Sequence, residues 1–403
     1  MIRTLRPLSV LVIFSLLTAF GCIPKKDTIT VWLTNDLQIE RSGETVSISA
    51  NDLKSLKSDL DLKTIILKNK ETGKSLSYQL LDNDGDGQTD EMIFQPAIGP
   101  NITKEFVLET GTGNENDATP TVSTFSRFVP ERIDDYAWEN DRVAFRTYGP
   151  EAQRLTEAGE RGGTLSSGID CWLKRVDYPI INKWYKKASE GTGTYHEDTG
   201  EGLDNYHVGP SRGCGGTGIW VDEVLYTSKN FADWKKLAEG PIRTNFVLSY
   251  ASWDANGIEI REEKNISLDL GSNLSRVALS IESDGLVEEV TIGVAIHDKS
   301  GSAGFNEQEG WYSYWQPHED SELGTAIVLD PAVVTGFTEY VVDEKDQSHV
   351  YVHVKPVDGK VIYYTGFAWQ KSGQFKNSQE WEAYLSQFAK KLANPIDVKI
   401  MMK

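Results

Sequence analysis

The sequence predicts a mainly β protein built from two antiparallel sandwich units. Short β-branched runs recur along the chain, turn residues separate them, and only one segment near the C-terminus has a helical period. Short strands at such spacing are typical of sandwiches. Of the 403 residues, 39% are hydrophobic and 10% are aromatic. A chain of this size and composition can bury large cores, so we expect two folding units rather than one.

Residues 1–22 have the features of an export signal. Arg3 and Arg6 precede an apolar run over residues 8–20, which is too short for a mature membrane span. Small residues then lead to Cys22, as in a bacterial lipobox, where the cysteine is acylated. We therefore expect a lipoprotein signal peptide, with Cys22 as the lipidation site, although a conventionally cleaved signal is the alternative. The protein would be anchored to the outer membrane by lipid only, facing the periplasm or the cell surface.

Residues 28–110 predict a small N-terminal β-sandwich. Six strand-like runs occupy this stretch, at residues 29–33, 44–48, 63–67, 75–80, 91–94 and 104–108. Turn residues separate the runs at sandwich spacing. The polar segment 111–121, GTGNENDATPT, follows as a linker and marks the domain boundary.

An acidic loop lies between the fourth and fifth of these strand-like runs. Carboxylates stand at positions one, three, five and nine of a calcium-binding loop, at Asp82, Asp84, Asp86 and Asp90. Gly87 takes the sixth position, where the chain must turn sharply. The twelfth position is Ile93 instead of the usual glutamate. We expect either a structural Ca²⁺ site or an acidic hairpin turn.

Residues 122–403 predict a large antiparallel β-sandwich of the supersandwich type. Eight strands are expected, at residues 242–250, 257–266, 275–282, 287–297, 326–329, 339–342, 349–357 and 360–368. A helix is expected over residues 378–392, because Trp381, Leu385 and Phe388 recur at steps of three and four. Asn377 or Ser378 can cap its N-terminus.

Charge and cysteine content exclude several classes of function. The net charge of −19 argues against a nucleic-acid partner, which requires a basic face. The segment 213–218, GCGGTG, lacks the lysine of a phosphate-binding loop, so no nucleotide or other organic cofactor is expected. Neither Cys171 nor Cys214 belongs to a Cys-x-x-Cys pair of the kind that binds metals, and we expect two buried free thiols.

The glycine-rich segment 195–220 is the candidate active-site loop. It contains His196 and His207, two of only six histidines, among several carboxylates and glycines. Loops on a rigid scaffold often carry catalytic groups. Tyr195 and Tyr206 flank the charges, as expected where a ring stacks on a ligand. A basic stretch at residues 142–187 precedes the loop and could attract an anionic ligand.

This composition suits elimination next to a uronate carboxylate. Such a reaction needs a base, a cation that holds the carboxylate, and a proton donor for the leaving oxygen. His196 or His207 is the expected base. Arg146 or Arg212 is the expected carboxylate clamp. The expected proton donor is one of three tyrosines, Tyr148, Tyr195 and Tyr206.

Other interpretations of the same residues stay open. His196, Asp198 and His207 could bind a divalent transition metal. Glu201 and Asp204 could contact substrate, or act as the paired carboxylates of a glycosidase. Outside the loop, Trp315 and His318 belong to an aromatic segment that predicts either a sugar-stacking platform or an ordinary core.

Five ordered motifs resemble one family of exported Bacteroidota proteins, long catalogued as a domain of unknown function. The motifs lie at residues 138–149, 168–179, 195–204, 209–216 and 371–376. Members occur among polysaccharide-degradation genes, and the family is linked to an oligosaccharide dehydratase acting on ulvan. The resemblance implies elimination of water from a non-reducing-end glucuronate or iduronate, which leaves a 4,5-unsaturated uronate. A polysaccharide lyase and a non-catalytic glycan-binding lipoprotein are the rival expectations.

Overall fold

The computed structural model describes residues 28–111 and 122–402. The proposed signal peptide, Cys22 and most of the linker lie outside the described residues. Within the described part of the chain, no helix is long and apolar enough to cross a membrane.

The described residues form a mainly β structure of antiparallel strands. The first unit contains β1 (Ile29–Asn35), β2 (Val46–Ser49), β3 (Ile65–Asn69), β4 (Ser75–Leu76), β5 (Tyr78–Leu81), β6 (Glu91–Phe94) and β7 (Ile102–Thr110). The second part continues with β8 (Phe125–Val129), β9 (Asp135–Glu139), β10 (Ala144–Thr147), β11 (Asp170–Lys174), β12 (Gly202–Leu203), β13 (Cys214–Val221), β14 (Val224–Tyr226), β15 (Phe231–Ala238), β16 (Arg243–Tyr250), β17 (Trp253–Ala255), β18 (Ile258–Asp269), β19 (Leu274–Ser283), β20 (Val290–Ala295), β21 (Ser302–Asn306), β22 (Trp311–His318), β23 (Ser321–Leu329), β24 (Val334–Tyr340), β25 (His349–Val354), β26 (Lys360–Trp369) and β27 (Asp397–Met402).

Helices are short except for the last one. The α-helices are α1 (Ala50–Leu56), α2 (Pro150–Glu157), α3 (Ile181–Ser189) and α4 (Ser378–Ala393). Short 3₁₀ turns occur at Leu62–Thr64, Pro130–Arg132, Pro331–Val333 and Gln370–Ser372. The expected C-terminal helix is confirmed, and the Asn377 side chain accepts a hydrogen bond of 3.0 Å from the Glu380 amide at its N-terminus.

The N-terminal unit is a sandwich of a five-stranded and a three-stranded sheet. The larger sheet has the order β27-β1-β7-β3-β4 and the smaller one β2-β6-β5. Alternate side chains of β1 point inward, so Ile29, Val31 and Leu33 are buried and pack with apolar residues of the smaller sheet. The expected β-sandwich class is confirmed.

The last strand of the chain lies in the first sheet. β27 pairs antiparallel with β1, with Thr30 opposite Met401. The sequence predicted that residues 122–403 lie wholly in the second unit. Instead, the chain returns after α4 to the N-terminal unit, where β27 pairs with the edge of β1. An unpaired edge would leave its backbone N–H and C=O groups without partners, and β27 supplies them.

The second unit is a sandwich with one large sheet on one side. Eight of its strands run in the order β15-β16-β18-β19-β26-β23-β22-β21, and β17 pairs with β18. Facing it are two five-stranded sheets, β12-β11-β10-β9-β8 and β14-β13-β20-β25-β24. One continuous apolar core contains side chains from all three sheets. Cys171 and Cys214 lie in this core as buried free thiols, as expected.

Helix α4 covers the outer face of the large sheet. Trp381 and Leu385 pack there against Trp311 and Trp315 of β22. Trp315 is only 9% exposed and donates its indole N–H to Glu322 at 3.0 Å. The proposed sugar-stacking role of Trp315 is therefore wrong in this structure, because the helix occupies the space where a sugar would stack.

The outer face of the sheet β8–β12 carries a mixture of aromatic and charged side chains. Trp172 packs against Trp184 and Tyr185 of α3 and against Tyr195, with ring centroids 4.8–5.4 Å apart. Arg146 lies over the Trp172 ring at 5.2 Å. This aromatic layer holds one wall of the cleft described next.

Candidate active site

A cleft of about 680 Å³, lined by charged, aromatic and apolar side chains, opens at one end of the sheet β8–β12. Its walls are the turn after β8, residues 163–165 following α2, and the loop 204–210. It brings together six residues expected from the sequence, namely Arg146, Tyr148, His196, Asp204, Tyr206 and His207. Its volume lies within the range of about 300–1,000 Å³ typical of ligand pockets.

Arg146 lies at the centre of a buried carboxylate cluster. In β10 it pairs in register with Asp170 of β11, so both side chains share one face of the sheet. Its Nε donates to Asp170 Oδ2 at 2.8 Å and its Nη2 to Asp204 Oδ2 at 2.7 Å. A third carboxylate, Asp135 of β9, lies 3.5 Å from Nη1. One guanidinium thus faces three carboxyl groups.

Burial raises the pKa of all three carboxyl groups. It raises the pKa of Asp135 to about 6, with Arg146 as the main opposing influence. Burial also raises the pKa of Asp170 and raises that of Asp204 well above its ordinary value. Arg146 and, at longer range, Arg132 oppose this effect for Asp135 and Asp204, but desolvation is the largest influence on all three carboxyl groups and favours their protonated forms. The cluster is therefore the candidate proton donor of the cleft, which Asp135 and Asp204 line.

Several polar atoms at or behind the cleft wall have no hydrogen-bond partner in the described residues. They are Asp135 Oδ1, Asp170 Oδ1, Asn205 Oδ1 and Tyr206 Oη. Buried polar atoms normally have partners, and an exception calls for a bound molecule or a functional reason. Their concentration here supports a role in ligand binding.

Tyr148 and Tyr206 stay protonated and can donate hydrogen bonds, but they are weak acids. Burial raises the pKa of both hydroxyls well above the ordinary value for tyrosine. Tyr148 donates to Asp170 Oδ2 at 3.3 Å, which adds it to the cluster. Tyr206 meets His297 edge to face, with ring centroids 4.6 Å apart.

Tyr195 lies behind the cleft wall and holds two arginines. Its hydroxyl oxygen accepts from Arg132 Nε at 2.9 Å and from Arg146 Nη1 at 3.4 Å. The side chain is 5% exposed. Tyr195 is therefore placed to position the arginines, and the structure does not put its hydroxyl on the cleft surface as a proton donor.

His196 is the exposed base candidate. Its side chain is 58% exposed, and its Nδ1 lies 2.7 Å from the main-chain oxygen of Asp204. A carbonyl only accepts, so Nδ1 carries the proton and the lone pair of a neutral ring is on Nε2. Within the described residues Nε2 has no hydrogen-bond partner, which leaves it available to a substrate proton.

His207 is tied to a carboxylate from a distant loop. Its Nε2 lies 3.0 Å from Asp346 Oδ2, and its main-chain oxygen accepts from His297 Nε2 at 2.7 Å. Both histidines border the cleft, but only His196 is held by a residue of the carboxylate cluster, since its Nδ1 donates to the main-chain oxygen of Asp204. His196 is the better placed of the two expected bases.

Arg132 is a cleft residue that the sequence reasoning missed. Its Nε binds Tyr195, while neither terminal nitrogen has a hydrogen-bond or carboxylate partner in the described residues. The two residues that follow have positive φ angles, 48° at Ile133 and 64° at Asp134. A β-branched residue rarely adopts that region, and such strain concentrates at functional sites. An arginine in a short 3₁₀ turn gave no sequence pattern by which to find it.

Gly149 permits this strained turn. A Cβ added at Gly149 would lie 1.9 Å from the Asp134 carbonyl oxygen, closer than any contact allows. Glycine is therefore required where the turn after β8 meets the start of α2. The requirement fixes the position of Arg132 and Asp135 relative to Tyr148.

Arg212 is not placed to act as a clamp. Its guanidinium is buried between the sheets, where it donates to Ser167 Oγ at 2.9 Å and to the Pro210 oxygen at 3.2 Å. Its amide donates to His349 Nε2 at 3.0 Å. Burial lowers the pKa of Arg212. The expected clamp role is corrected to a structural one, since a glycine-rich loop folds this side chain inward.

Glu201 is likewise occupied elsewhere. Its carboxylate accepts from Lys183 at 2.5 Å and from Tyr178 at 2.6 Å, and it lies outside the cleft lining. These bonds keep the pKa of Glu201 below its ordinary value in spite of desolvation. It fastens the loop to α3, so neither the substrate-contact role nor the glycosidase pairing with Asp204 is supported.

His318 also lies outside the cleft lining. Its ring is 6.4 Å from that of His297, and burial lowers its pKa to about 4. The imidazole is therefore neutral near pH 7, and its Nε2 is buried with no partner among the described residues. The structure does not bring it to the candidate base.

The two expected metal sites differ in geometry. Among the described residues, only Asp82, Asp84 and Asp86 bring three potential ligand atoms within 4.8 Å of one another. The set of His196, Asp198 and His207 does not converge in this way, and the Asp198 carboxylate pairs with Arg175 at 3.2 Å. The expected transition-metal site in the loop is thus corrected. The all-oxygen set of the acidic loop suits a hard cation such as Ca²⁺.

Asp90 plays a different part in the acidic loop. Its Oδ2 accepts from the Asn83 amide at 2.7 Å, and it does not join the three clustered carboxylates. Asp82 accepts from the amides of Gly85 and Gly87 at 2.6 and 2.8 Å. The loop is a tight turn that holds Asp82 in place.

Fold and site define a mainly β sandwich protein with a charge-rich cleft. The chain belongs to the family described as "Domain of unknown function (DUF4861)", which matches residues 33–398. It is 46% identical over 387 residues to "Uncharacterized protein P7" of Formosa agariphila, covering 95% of this chain and 96% of that protein.

Two solved structures match the chain at low sequence identity. A glycosyl hydrolase family 38 protein from Enterococcus faecalis matches with a TM-score of 0.50 and 10% identity, over 94% of this chain and 48% of that one. An alpha-mannosidase from Enterococcus faecalis V583 has a TM-score of 0.41 and 9% identity, over 93% of this chain and 46% of that one. The chain spans about half the length of both, and the likeness of the first concerns the fold alone.

Proposed function

We propose that the protein is a carbohydrate dehydratase acting on anionic oligosaccharides of the ulvan type. It would remove water from a non-reducing-end glucuronate or iduronate and leave a 4,5-unsaturated uronate. One observation carries the proposal: a half-exposed imidazole with a free nitrogen borders the same cleft as a buried carboxyl cluster whose pKa values are raised by burial. Elimination requires this pair of groups.

The reaction can be written with the residues of the cleft. His196 Nε2 takes the proton from C5, and the electron pair of that C–H bond forms the double bond between C4 and C5. The C4–O bond breaks, and the leaving oxygen takes a proton from the carboxyl cluster, of which Asp135 and Asp204 border the cleft. The products are water and the unsaturated uronate.

Arg132 is proposed to hold the substrate carboxylate. Charge accumulates on this carboxylate as C5 loses its proton, and a fixed guanidinium stabilises it there. Arg132 replaces Arg212 in this role, because it forms no direct ion pair within the described residues, although Asp135 attracts it at longer range, whereas Arg146 is already shared by three carboxylates.

Export and lipid attachment are part of the same proposal. The charged and apolar regions of residues 1–22, with Cys22 after small residues, support an outer-membrane lipoprotein facing the periplasm or the exterior. Cell fractionation of the wild type and of Cys22→Ser tests it. Equal recovery of both proteins in the membrane fraction would contradict the lipid anchor.

The activity is tested with a saturated oligosaccharide that ends in a uronic acid. We expect ultraviolet absorbance of the unsaturated uronate to rise while the product mass falls by one water. Shorter products with the same absorbance would indicate a polysaccharide lyase. Binding without any change in mass would indicate a glycan-binding protein and would reject the dehydratase.

A further inference from the structure

A second cavity of about 460 Å³ lies where the N-terminal unit, the large sheet and helix α4 meet. Its walls come from residues 42–45, from strands β16, β18, β19 and β26, and from the last turns of α4. No residue lines both this cavity, called the inter-unit pocket, and the catalytic cleft. Its volume is within the usual range for small-ligand sites.

The inter-unit pocket is basic in an acidic protein. Its charged lining consists of Arg142, Arg243, Arg276 and Lys391 with Glu44 and Asp269. Both acids already have partners, since Glu44 pairs with Arg41 behind the wall and Asp269 with Arg243 at 2.5 Å. Three cations therefore face the cavity without a carboxylate partner in the described residues. A chain with a net charge of −19 concentrates positive charge here.

Two of these three cations are partly desolvated, and Arg142 also donates from Nη1 to Asn273 Oδ1 at 3.4 Å. Arg142 Nε is buried without a hydrogen-bond partner in the described residues. Desolvation lowers the pKa of Lys391, although nearby Glu44 acts in the opposite direction. A buried donor without a partner costs free energy that a bound anion would recover.

The remaining lining is aromatic and hydroxylated. Tyr364, Phe375, Tyr384 and Phe388 contribute rings, with the Tyr364 and Phe388 centroids 5.1 Å apart. Ser42 and Thr45 also line the pocket and contribute hydroxyl groups, of which that of Thr45 accepts from Gln95 Nε2 at 3.2 Å. Aromatic rings pack against the apolar faces of sugars, while hydroxyl and amide groups bind their oxygens.

We propose that the inter-unit pocket binds an acidic sugar residue, that is, a saccharide unit carrying a sulfate or a carboxylate. The anionic group would bind between Arg142, Arg276 and Lys391, and the ring would lie against the aromatic wall. The site would hold an anionic glycan at a place separate from the cleft. This inference concerns binding only and does not depend on the proposed elimination.

The test is calorimetric titration of the full chain with glucose 6-sulfate, glucose and inorganic sulfate. Glucose 6-sulfate has no carboxylate next to a removable proton, so turnover does not complicate the measurement. We expect it to bind more tightly than either glucose or inorganic sulfate, and to bind less tightly as salt rises. Equal affinity for inorganic sulfate would overturn sugar recognition, and no binding would overturn the site.

Neighbouring lysines of α4 provide a matched pair of variants. Lys391 lines the pocket, whereas Lys390 pairs with Glu309 at 3.2 Å outside it. Lys391→Gln should weaken binding of glucose 6-sulfate about tenfold, the usual effect of losing one charge-assisted hydrogen bond. Lys390→Gln should leave the affinity unchanged. An equal loss in both variants would contradict the proposal.

A second pair separates this pocket from the cleft. Arg276→Gln should also weaken binding, while Arg132→Gln, which alters only the cleft, should not. Melting curves check that each variant is folded. Loss of binding in Arg132→Gln alone would place the sulfated sugar in the cleft and reject the inter-unit pocket.

Discussion

At the scale of single residues, the titratable groups of the cleft differ in how deeply they are buried. Three buried carboxyl groups share Arg146, while His196 remains half exposed with one nitrogen free. Burial therefore favours protons on the carboxyl groups, and exposure leaves the imidazole accessible. Acid and base roles follow from environments that differ within one cleft.

His196→Ala is expected to lower kcat by about two to four orders of magnitude, because a general base contributes about that much. Substrate binding should change little. Glu197→Ala, the next residue of the same exposed loop, is the matched control and should retain wild-type turnover. Steady-state kinetics on folded variants measure the difference. Full activity in both His196→Ala and His207→Ala would place the chemistry outside this loop.

Arg132→Gln is expected to raise KM and lower kcat/KM by roughly ten- to a hundredfold, since a charge-assisted contact to the substrate carboxylate is lost. Arg154→Gln is the control, because Arg154 pairs with Glu151 and Glu160 on the exposed face of α2. Kinetics with substrates that carry a carboxylate or its methyl ester show whether the effect requires the charge. An identical loss for both substrates would argue against a clamp.

Asp135 should make folding stability depend on pH. Its pKa is raised to about 6 in the folded protein from 3.8, so the folded state binds a proton more tightly than the unfolded state. Its contribution to stability is therefore fully present below the unfolded pKa and is lost as pH rises through about 6. The size is at most about 3 kcal/mol.

The measurement compares Asp135→Asn with the wild type by urea unfolding across about pH 4 to 7. The amide can keep the contact with the Tyr185 hydroxyl, which lies 3.0 Å from Asp135 Oδ2. The variant should gain stability relative to the wild type as pH rises. A constant difference between the two proteins would mean that Asp135 does not titrate in this range.

At the scale of elements, the turn between β5 and β6 is the one predicted cation site whose ligands converge. Three carboxylates of a nine-residue stretch lie together because glycines with positive φ, Gly85 at 75° and Gly87 at 88°, fold the turn tightly. The hairpin pairs Leu81 with Glu91 directly beyond the turn. Cation binding would therefore stabilise the smaller sheet of the N-terminal unit.

Saturating Ca²⁺ is expected to raise the melting temperature of the wild type, with stabilisation of about 2.7 kcal/mol at a hundredfold excess over the dissociation constant. Asp84→Asn should reduce this shift, because it removes one of the three clustered ligands. Asp59→Asn, an exposed aspartate outside the loop, should not. Calorimetry with calcium and with chelator provides the measurement, and superimposable curves would reject the site.

At the scale of the whole molecule, the N-terminal unit and the C-terminal end of α4 meet around Arg41. Its side chain is fully buried, pairs with Glu44, and donates to the main-chain oxygens of Lys391 at 3.1 Å and Asn394 at 2.6 Å. These oxygens belong to the C-terminal end of α4, just before β27 enters the first sheet. Arg41 thus joins the N-terminal sandwich to the helix that covers the second unit.

Arg41→Ala is expected to destabilise the protein by roughly 3 kcal/mol, because it leaves a carboxylate and two carbonyl oxygens without their buried donor. Differential scanning calorimetry should show the N-terminal unit unfolding at a lower temperature than the rest. Lys54→Ala, an exposed position on α1, is the control. A single unshifted transition would show that Arg41 does not couple the units.

The sequence alone determined the class of the fold, but the stretch 195–220 that it predicts as one loop ends in a strand, since Cys214–Val221 form β13. Period-two apolar runs such as 29–33 predicted β1, and the three- and four-residue recurrence of Trp381, Leu385 and Phe388 predicted α4. These patterns are local, so each can be read from a short window. The short helices α2 and α3 were missed, because eight or nine residues carry too few turns for a clear period.

Only the tertiary structure decided which side chains meet. Arg146, Asp135 and Asp170 lie on three different strands, and Asp204 joins them from a loop. Arg212 and Trp315 carry suitable groups but point into cores, while Arg132 gave no pattern and reaches the cleft through a strained turn. A local pattern says which face of a strand is apolar, but sheet order and packing determine what covers that face. The catalytic proposal therefore rests on distances that no single stretch of sequence contains.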